Sequence, residues 1–180
     1  TPELFGASLV ADRDTLLVGA PGAQGSGVVY VFRRRGGERW VQTQILTADI
    51  NPPGLEFGQG SLAIQGDIAI VGVPKDPTLG VDSGAVYIFR KGGDGRFFQV
   101  QKLLAQDAAE YQDFGHSVSV LGGSVLVGAP ALQSAPNGYA RFKGAAYLFD
   151  YDGLSWVETQ KLVATGPPNL NGYNFGAAVE

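Results

Sequence analysis

The sequence contains no cysteine, no methionine and a single histidine, His116. Without cysteine there is neither a disulfide framework nor a thiolate metal site, and the redox compartment is not readable from this chain. With one imidazole, a histidine-cluster metal centre is excluded within it. The lack of methionine extends to position 1, which indicates either a processed chain or a segment of a longer one. Long apolar runs are also missing. Stretches such as Ile68 to Val73 fall far short of the roughly 20 residues that span a bilayer, and the N-terminal residues do not resemble a signal peptide, so a soluble chain without membrane insertion is expected. Positive charge is scarce: 13 Lys and Arg against 17 Asp and Glu leave a net charge of -4, which argues against nucleic acid or an anionic membrane as partner. The one basic run, Arg33-Arg34-Arg35, precedes Gly36-Gly37 and reads as a solvated turn.

What the chain has in quantity is glycine, 27 of 180 residues, and a hydrophobic fraction of 44%, enough to fill a sizeable core. The glycines are ordered. Phe-Gly recurs at Phe5-Gly6, Phe57-Gly58, Phe114-Gly115 and Phe175-Gly176, at intervals of 52, 57 and 61 residues. Each interval carries a second landmark, Gly19-Ala20-Pro21, Gly72-Val73-Pro74 or Gly128-Ala129-Pro130, and then a Gly-x-x-Tyr ending at Tyr30, Tyr87 or Tyr147. A third closes the unit: an aromatic at Trp40, Phe97 or Trp156, followed by Gln44, Gln101 or Gln160. Within each unit four short runs rich in β-branched and aromatic residues are separated by Gly, Asp, Asn and Pro clusters, with no helical spacing. In the first unit the predicted strands are about Gly6 to Ala11, Thr15 to Ala20, Val28 to Arg33 and Trp40 to Leu46. Such a four-stranded meander must bury two sheet faces, which stacking on neighbouring units achieves.

These landmarks resemble the FG-GAP repeats of integrin α-subunit propellers, and more closely those of bacterial extracellular proteins built from such repeats. The resemblance implies an all-β propeller segment: blades at about 5–46, 57–103 and 114–162, and the opening strand of a fourth at 175–180. Three blades do not close a ring, since propellers have roughly four to eight. The outer sheet faces are therefore expected to be covered by further blades or by copies of the chain. The resemblance also implies an extracellular or cell-surface location.

In a meander, the turns joining strands 1 to 2 and 3 to 4 share one end of the sheet, and the loops joining 2 to 3 and 4 to 1 share the other. The first end is nearly constant in length across the units. On the second, the step from Gly-Ala-Pro to Gly-x-x-Tyr grows from 8 to 12 to 16 residues. Variable loops on a rigid scaffold are where binding determinants are usually carried, and integrin propellers engage ligands through corresponding loops. The candidate partner-binding residues on this end are Asp76 and Asp82, Tyr111, the set Tyr139, Arg141, Phe142 and Lys143 in the longest loop, and Tyr173.

Other motifs weigh against chemistry. Integrin-like repeats often carry a calcium loop between strands 1 and 2, but Asp12-Arg13-Asp14, Gln65-Gly66-Asp67 and Leu121-Gly122-Gly123 read as tight hairpins, so no cofactor is expected. Asp150 and Asp152-Gly153 align with the turns between strands 3 and 4 and read as hairpin residues. Gly115-His116-Ser117 lacks the glycine a nucleophile elbow needs where Ser119 stands. Gly22, Gly25 and Gly27 satisfy no nucleotide motif. Trp40, Phe97 and Trp156 read as packing rather than a sugar-stacking set. The leading expectation is a non-enzymatic recognition, adhesion or assembly module binding a protein. Two alternatives stay open: a propeller lectin taking glycans, and the non-catalytic part of a larger secreted hydrolase or lyase, with Asp76, Asp82, Glu110 and Asp113 as its available carboxylates.

Overall fold

The structure is a computed structural model that describes residues 3–49, 52–130, 144–165 and 175–180. Twelve strands are found among these residues. They are β1 (Leu9–Asp12), β2 (Thr15–Ala20), β3 (Val28–Arg35), β4 (Arg39–Leu46), β5 (Leu62–Gln65), β6 (Ile68–Val73), β7 (Ala85–Lys91), β8 (Phe97–Leu103), β9 (Ser117–Leu121), β10 (Ser124–Ala129), β11 (Ala145–Tyr151) and β12 (Trp156–Leu162). They form three all-antiparallel sheets of four strands, each in sequence order. The chain is thus all-β, in an arrangement consistent with the blades of a propeller.

The expected strands of the first unit differ from those observed mainly at their ends, where β1 starts later and β3 runs two residues further. Among the described residues, the one departure from an all-extended reading is a single 3₁₀ turn at Ala23–Gly25, between β2 and β3. It rests on Gln24, whose φ of 52° turns the chain over too few residues for helical periodicity to register.

Burial follows strand position. The second strands are mostly buried, because both faces of each sheet are largely covered there, whereas the fourth strands are mostly half-buried or exposed. Cores fill the spaces between sheets: Leu17, Val29, Val31, Phe57, Val71 and Tyr87 belong to one, and Ile70, Val86, Phe114, Val127, Tyr147 and Trp156 to the next.

The Phe-Gly landmark joins one unit to the next. The backbone of Phe57 forms a parallel bridge with Gly27, while its ring packs edge-on against Tyr87 at 5.6 Å and Phe89 at 6.2 Å. Backbone and ring of one residue therefore belong to different sheets. Phe114 repeats the arrangement, bridging Gly84 and packing on Tyr147 and Phe149. The approach is so close that a Cβ on Gly19 would lie 2.1 Å from the Gly58 carbonyl oxygen, and one on Gly72 would lie 2.0 Å from that of Gly115. Only glycine admits the neighbouring chain there.

Side chains complete the seams. The Ser8 hydroxyl donates to the Gly58 carbonyl at 2.7 Å, and the Ser117 hydroxyl to the Gly176 carbonyl at 2.8 Å. Gln44 spans from β4 to β8, its Nε2 donating to the Phe97 carbonyl at 2.7 Å and its Oε1 accepting from the Phe97 N–H at 2.8 Å. Gln101 does the same with Trp156, at 2.8 Å in both bonds. Two-point amide bridges of this kind continue the sheet's hydrogen bonding sideways into the next one.

Candidate functional site

Backbone bonds locate the two ends of the sheets. The N–H of Arg34, Lys91 and Tyr151 donates to the carbonyl of Asp14, Asp67 and Gly123, so the 1-to-2 and 3-to-4 turns of each sheet are tied together at one end. At the other end the loop after β6 lies alongside the connection from β8 to β9. Tyr111 N–H donates to the Val81 carbonyl at 2.7 Å, Asp113 to Asp82 at 3.0 Å and Phe114 to Ser83 at 3.2 Å. The expected grouping of the 2-to-3 and 4-to-1 loops is seen here as direct hydrogen bonding.

Of the residues picked out from sequence on this face, Asp76 is turned inward. Its side chain is 2% exposed, and its carboxylate accepts from Tyr87 at 2.7 Å, from the Thr78 N–H at 3.0 Å and from the Thr78 hydroxyl at 2.5 Å. Lys102 pairs with it at 2.8 Å. Burial by itself pushes the Asp76 carboxyl upward, but the bonds from Lys102, Thr78 and Tyr87 outweigh it and hold the group below its ordinary value of 3.8. Burial and the same bond push the Tyr87 phenol up, so it remains a donor. Asp76 is thus a brace inside the loop rather than a group offered at its surface.

Asp82 and Tyr111 are half-buried and adjoin across the loop pair. Together with Asp113 they have left-handed backbones, φ 50°, 63° and 56°. Such a conformation is costly for tyrosine in particular and persists only where surrounding contacts impose it. Tyr139, Arg141, Phe142, Lys143 and Tyr173 lie outside the described residues. Sequence reasoning did not single out Leu79 and Val81, which stand 48% and 49% exposed at the crest of the braced loop. Their signal was available in principle: two aliphatic residues in a Pro-, Gly- and Asp-bounded loop have no strand face to bury them.

The remaining candidates have structural places. Asp12 accepts the Gly66 N–H at 2.6 Å, and Asp14 pairs with Arg33 at 3.2 Å, so the two carboxylates of the first hairpin are held by different partners. Asp152 accepts from the backbone of Leu154 and Ser155 and closes its turn. Phe97 and Trp156 are buried between sheets, and Trp40 is half-covered beneath Arg34 at 4.9 Å. Half-buried His116 precedes β9 at the wall of a cavity of about 730 Å³, which Ser8, Ser61, Lys75 and Ser117 also line.

Comparison with known families matches the FG-GAP repeat model at two places, residues 40–89 and 97–149, which together cover more than half of the chain. No curated protein matches the sequence.

Proposed function

Starting from the fact that this chain belongs to the FG-GAP repeat family, we propose that it is a propeller segment of an extracellular recognition module, non-enzymatic, that binds a protein partner through the loops after its second and fourth strands. The observation that carries this reading is the loop at residues 76–83. Asp76 braces it from within, hydrogen bonds to residues 111–114 hold it from the side, and Leu79 and Val81 are left raised beside Tyr111. A pre-ordered loop loses little conformational entropy on binding. Covering two half-exposed aliphatic side chains contributes about 1 to 2 kcal/mol.

The FG-GAP repeat family is generally non-catalytic, which supports binding over chemistry. The 12 strands fit three propeller blades, and the Phe175 bridge to Gly144 fits the opening of a fourth. Ring closure then comes from further blades or from copies of the chain.

The test is selection of a partner from a display library of extracellular proteins, followed by affinity measurement on the Leu79→Glu, Val81→Glu double variant. Loss of binding with an unchanged unfolding midpoint supports the loop as the contact. Equal binding by the variant overturns it. A glycan array separates the lectin alternative: binding of one sugar class at several equivalent sites would displace the protein-recognition reading.

A further inference from the structure

The end of the molecule opposite these loops holds a groove of about 780 Å³ at the seam between the first two sheets, where the turn after β3 faces the turn after β7. Its charge is out of keeping with an acidic chain. Arg33, Arg34, Arg35, Lys91 and Arg96 line it, against Asp14 and Asp94. Two of the cations are committed: Arg33 pairs with Asp14 and donates to the Gly95 carbonyl, and Lys91 pairs with Asp67. Arg35 and Arg96 are exposed and have no ion pair among the described residues, and Arg34 is exposed above Trp40. Arg34 alternates with Arg33 along β3 and stacks on Trp40, on the other face of the sheet, so the guanidinium groups of Arg35 and Arg96, each a planar fork of donors, are the ones left at this seam with their donors largely unused.

The rest of the lining determines the kind of anion. Thr43, Gln44, Gly92, Gly93 and Gly95 complete it, so no lining residue has an apolar side chain. A peptide partner is usually anchored by apolar or aromatic side chains in sockets, and this groove offers none. A hydroxyl-rich anion needs no such socket, since guanidinium forks take its acidic groups while the exposed backbone of the glycine-rich turn stays open to its hydroxyls.

The third sheet limits the ligand's length. The residue paired with the first position of the second strand is Arg33 in the first sheet and Arg90 in the second, but Asp150 in the third. Asp152 follows in the third sheet's turn. A long polyanion running along this end of the molecule would pass from Arg33 and Arg90 to Asp150 and Asp152. We propose that the groove between the first two sheets binds a short acidic oligosaccharide, one bearing carboxylate or sulfate groups, through Arg35 and Arg96.

Titration calorimetry of the full chain at about 50 mM salt tests this, using a sulfated heparin hexasaccharide, hexagalacturonate, neutral maltohexaose and hexaglutamate as probes. Binding of one or both acidic sugars and not of maltohexaose supports the site, and which one binds separates sulfate from carboxylate recognition. The Arg35→Gln, Arg96→Gln variant should lose at least about tenfold in affinity and show a shallower dependence on salt. The Leu154→Glu, Gln160→Glu variant, with the same change in net charge on the third sheet, should lose much less. Absence of binding by both acidic sugars, equal binding of maltohexaose, tighter binding of hexaglutamate, or equal losses in the two variants would each overturn the proposal. Unfolding midpoints of both variants guard against loss of structure as the cause.

Discussion

Tyr87 donates its phenolic hydrogen to Asp76 across 2.7 Å, tying the third strand of one sheet to the loop that leads into that strand. Tyr147 makes the corresponding bond to Asp107 at 2.9 Å, although Asp107 lies in the connection that follows β8. Lys102 and Lys161, paired in register with the two tyrosines, reach over the rings to the same carboxylates. In the first sheet Tyr30 is paired in register with Ile45 instead, and its ring packs against Phe5 at 5.4 Å. Tyrosine and lysine are thus supplied by the strands, while the acid is recruited from whichever loop comes near.

Replacing Asp76 with alanine leaves the buried Tyr87 hydroxyl and the largely covered Lys102 ammonium without their partner. The expected loss is about 2 to 4 kcal/mol, read as a shift of the urea midpoint. Tyr87→Phe removes one donor only and should cost about 1 kcal/mol. Hydrogen exchange in residues 77–83 should quicken in both variants, and unchanged exchange would show that the loop is held without the brace.

The same carboxylate makes stability depend on pH in a defined direction. Its folded value lies below 3.8, so its contribution is fully present above that value and is lost as pH falls through the folded one. Stability measured from pH 6 downward should therefore fall more steeply in the wild type than in Asp76→Asn below about pH 4. Parallel curves would mean that Asp76 titrates alike in the folded and unfolded chains.

Glycine positions should divide sharply by surroundings. Gly72→Ala drives a methyl to 2.0 Å from the Gly115 carbonyl oxygen, in backbone that has no freedom to retreat, and should cost about 3 kcal/mol or more. Gly36→Ala meets open space and strains only its φ of 61°, for a cost of about 1 kcal/mol. Similar unfolding midpoints for the two variants would contradict the close seam.

Gln101→Ala removes both bonds to Trp156 and should destabilise by about 1 to 2 kcal/mol. Gln101→Glu keeps an acceptor for the Trp156 N–H but faces its carbonyl with a second oxygen, so it should recover little of the loss. Denaturation monitored by tryptophan fluorescence reads the seam at Trp156 directly, and wild-type stability in the glutamate variant would show that the donor half of the bridge contributes nothing.

The sequence by itself determined the all-β class, the repeating unit and the strand order, because Phe-Gly, Gly-Ala-Pro and Gly-x-x-Tyr recur in one order between short runs of strand-forming residues. It also separated the two ends of the sheets, since in an antiparallel meander loop position follows from connectivity alone. Only the tertiary structure decided that Asp76 faces inward while Leu79 and Val81 stand out, and that Arg35 and Arg96 share one groove. A carboxylate in a loop reads as exposed until a tyrosine 11 residues on and a lysine 26 residues on are seen to converge on it. A basic run beside glycines likewise reads as a solvated turn until a neighbouring sheet brings a second cationic turn against it. Both depend on contacts between separate segments, which spacing along the chain does not encode.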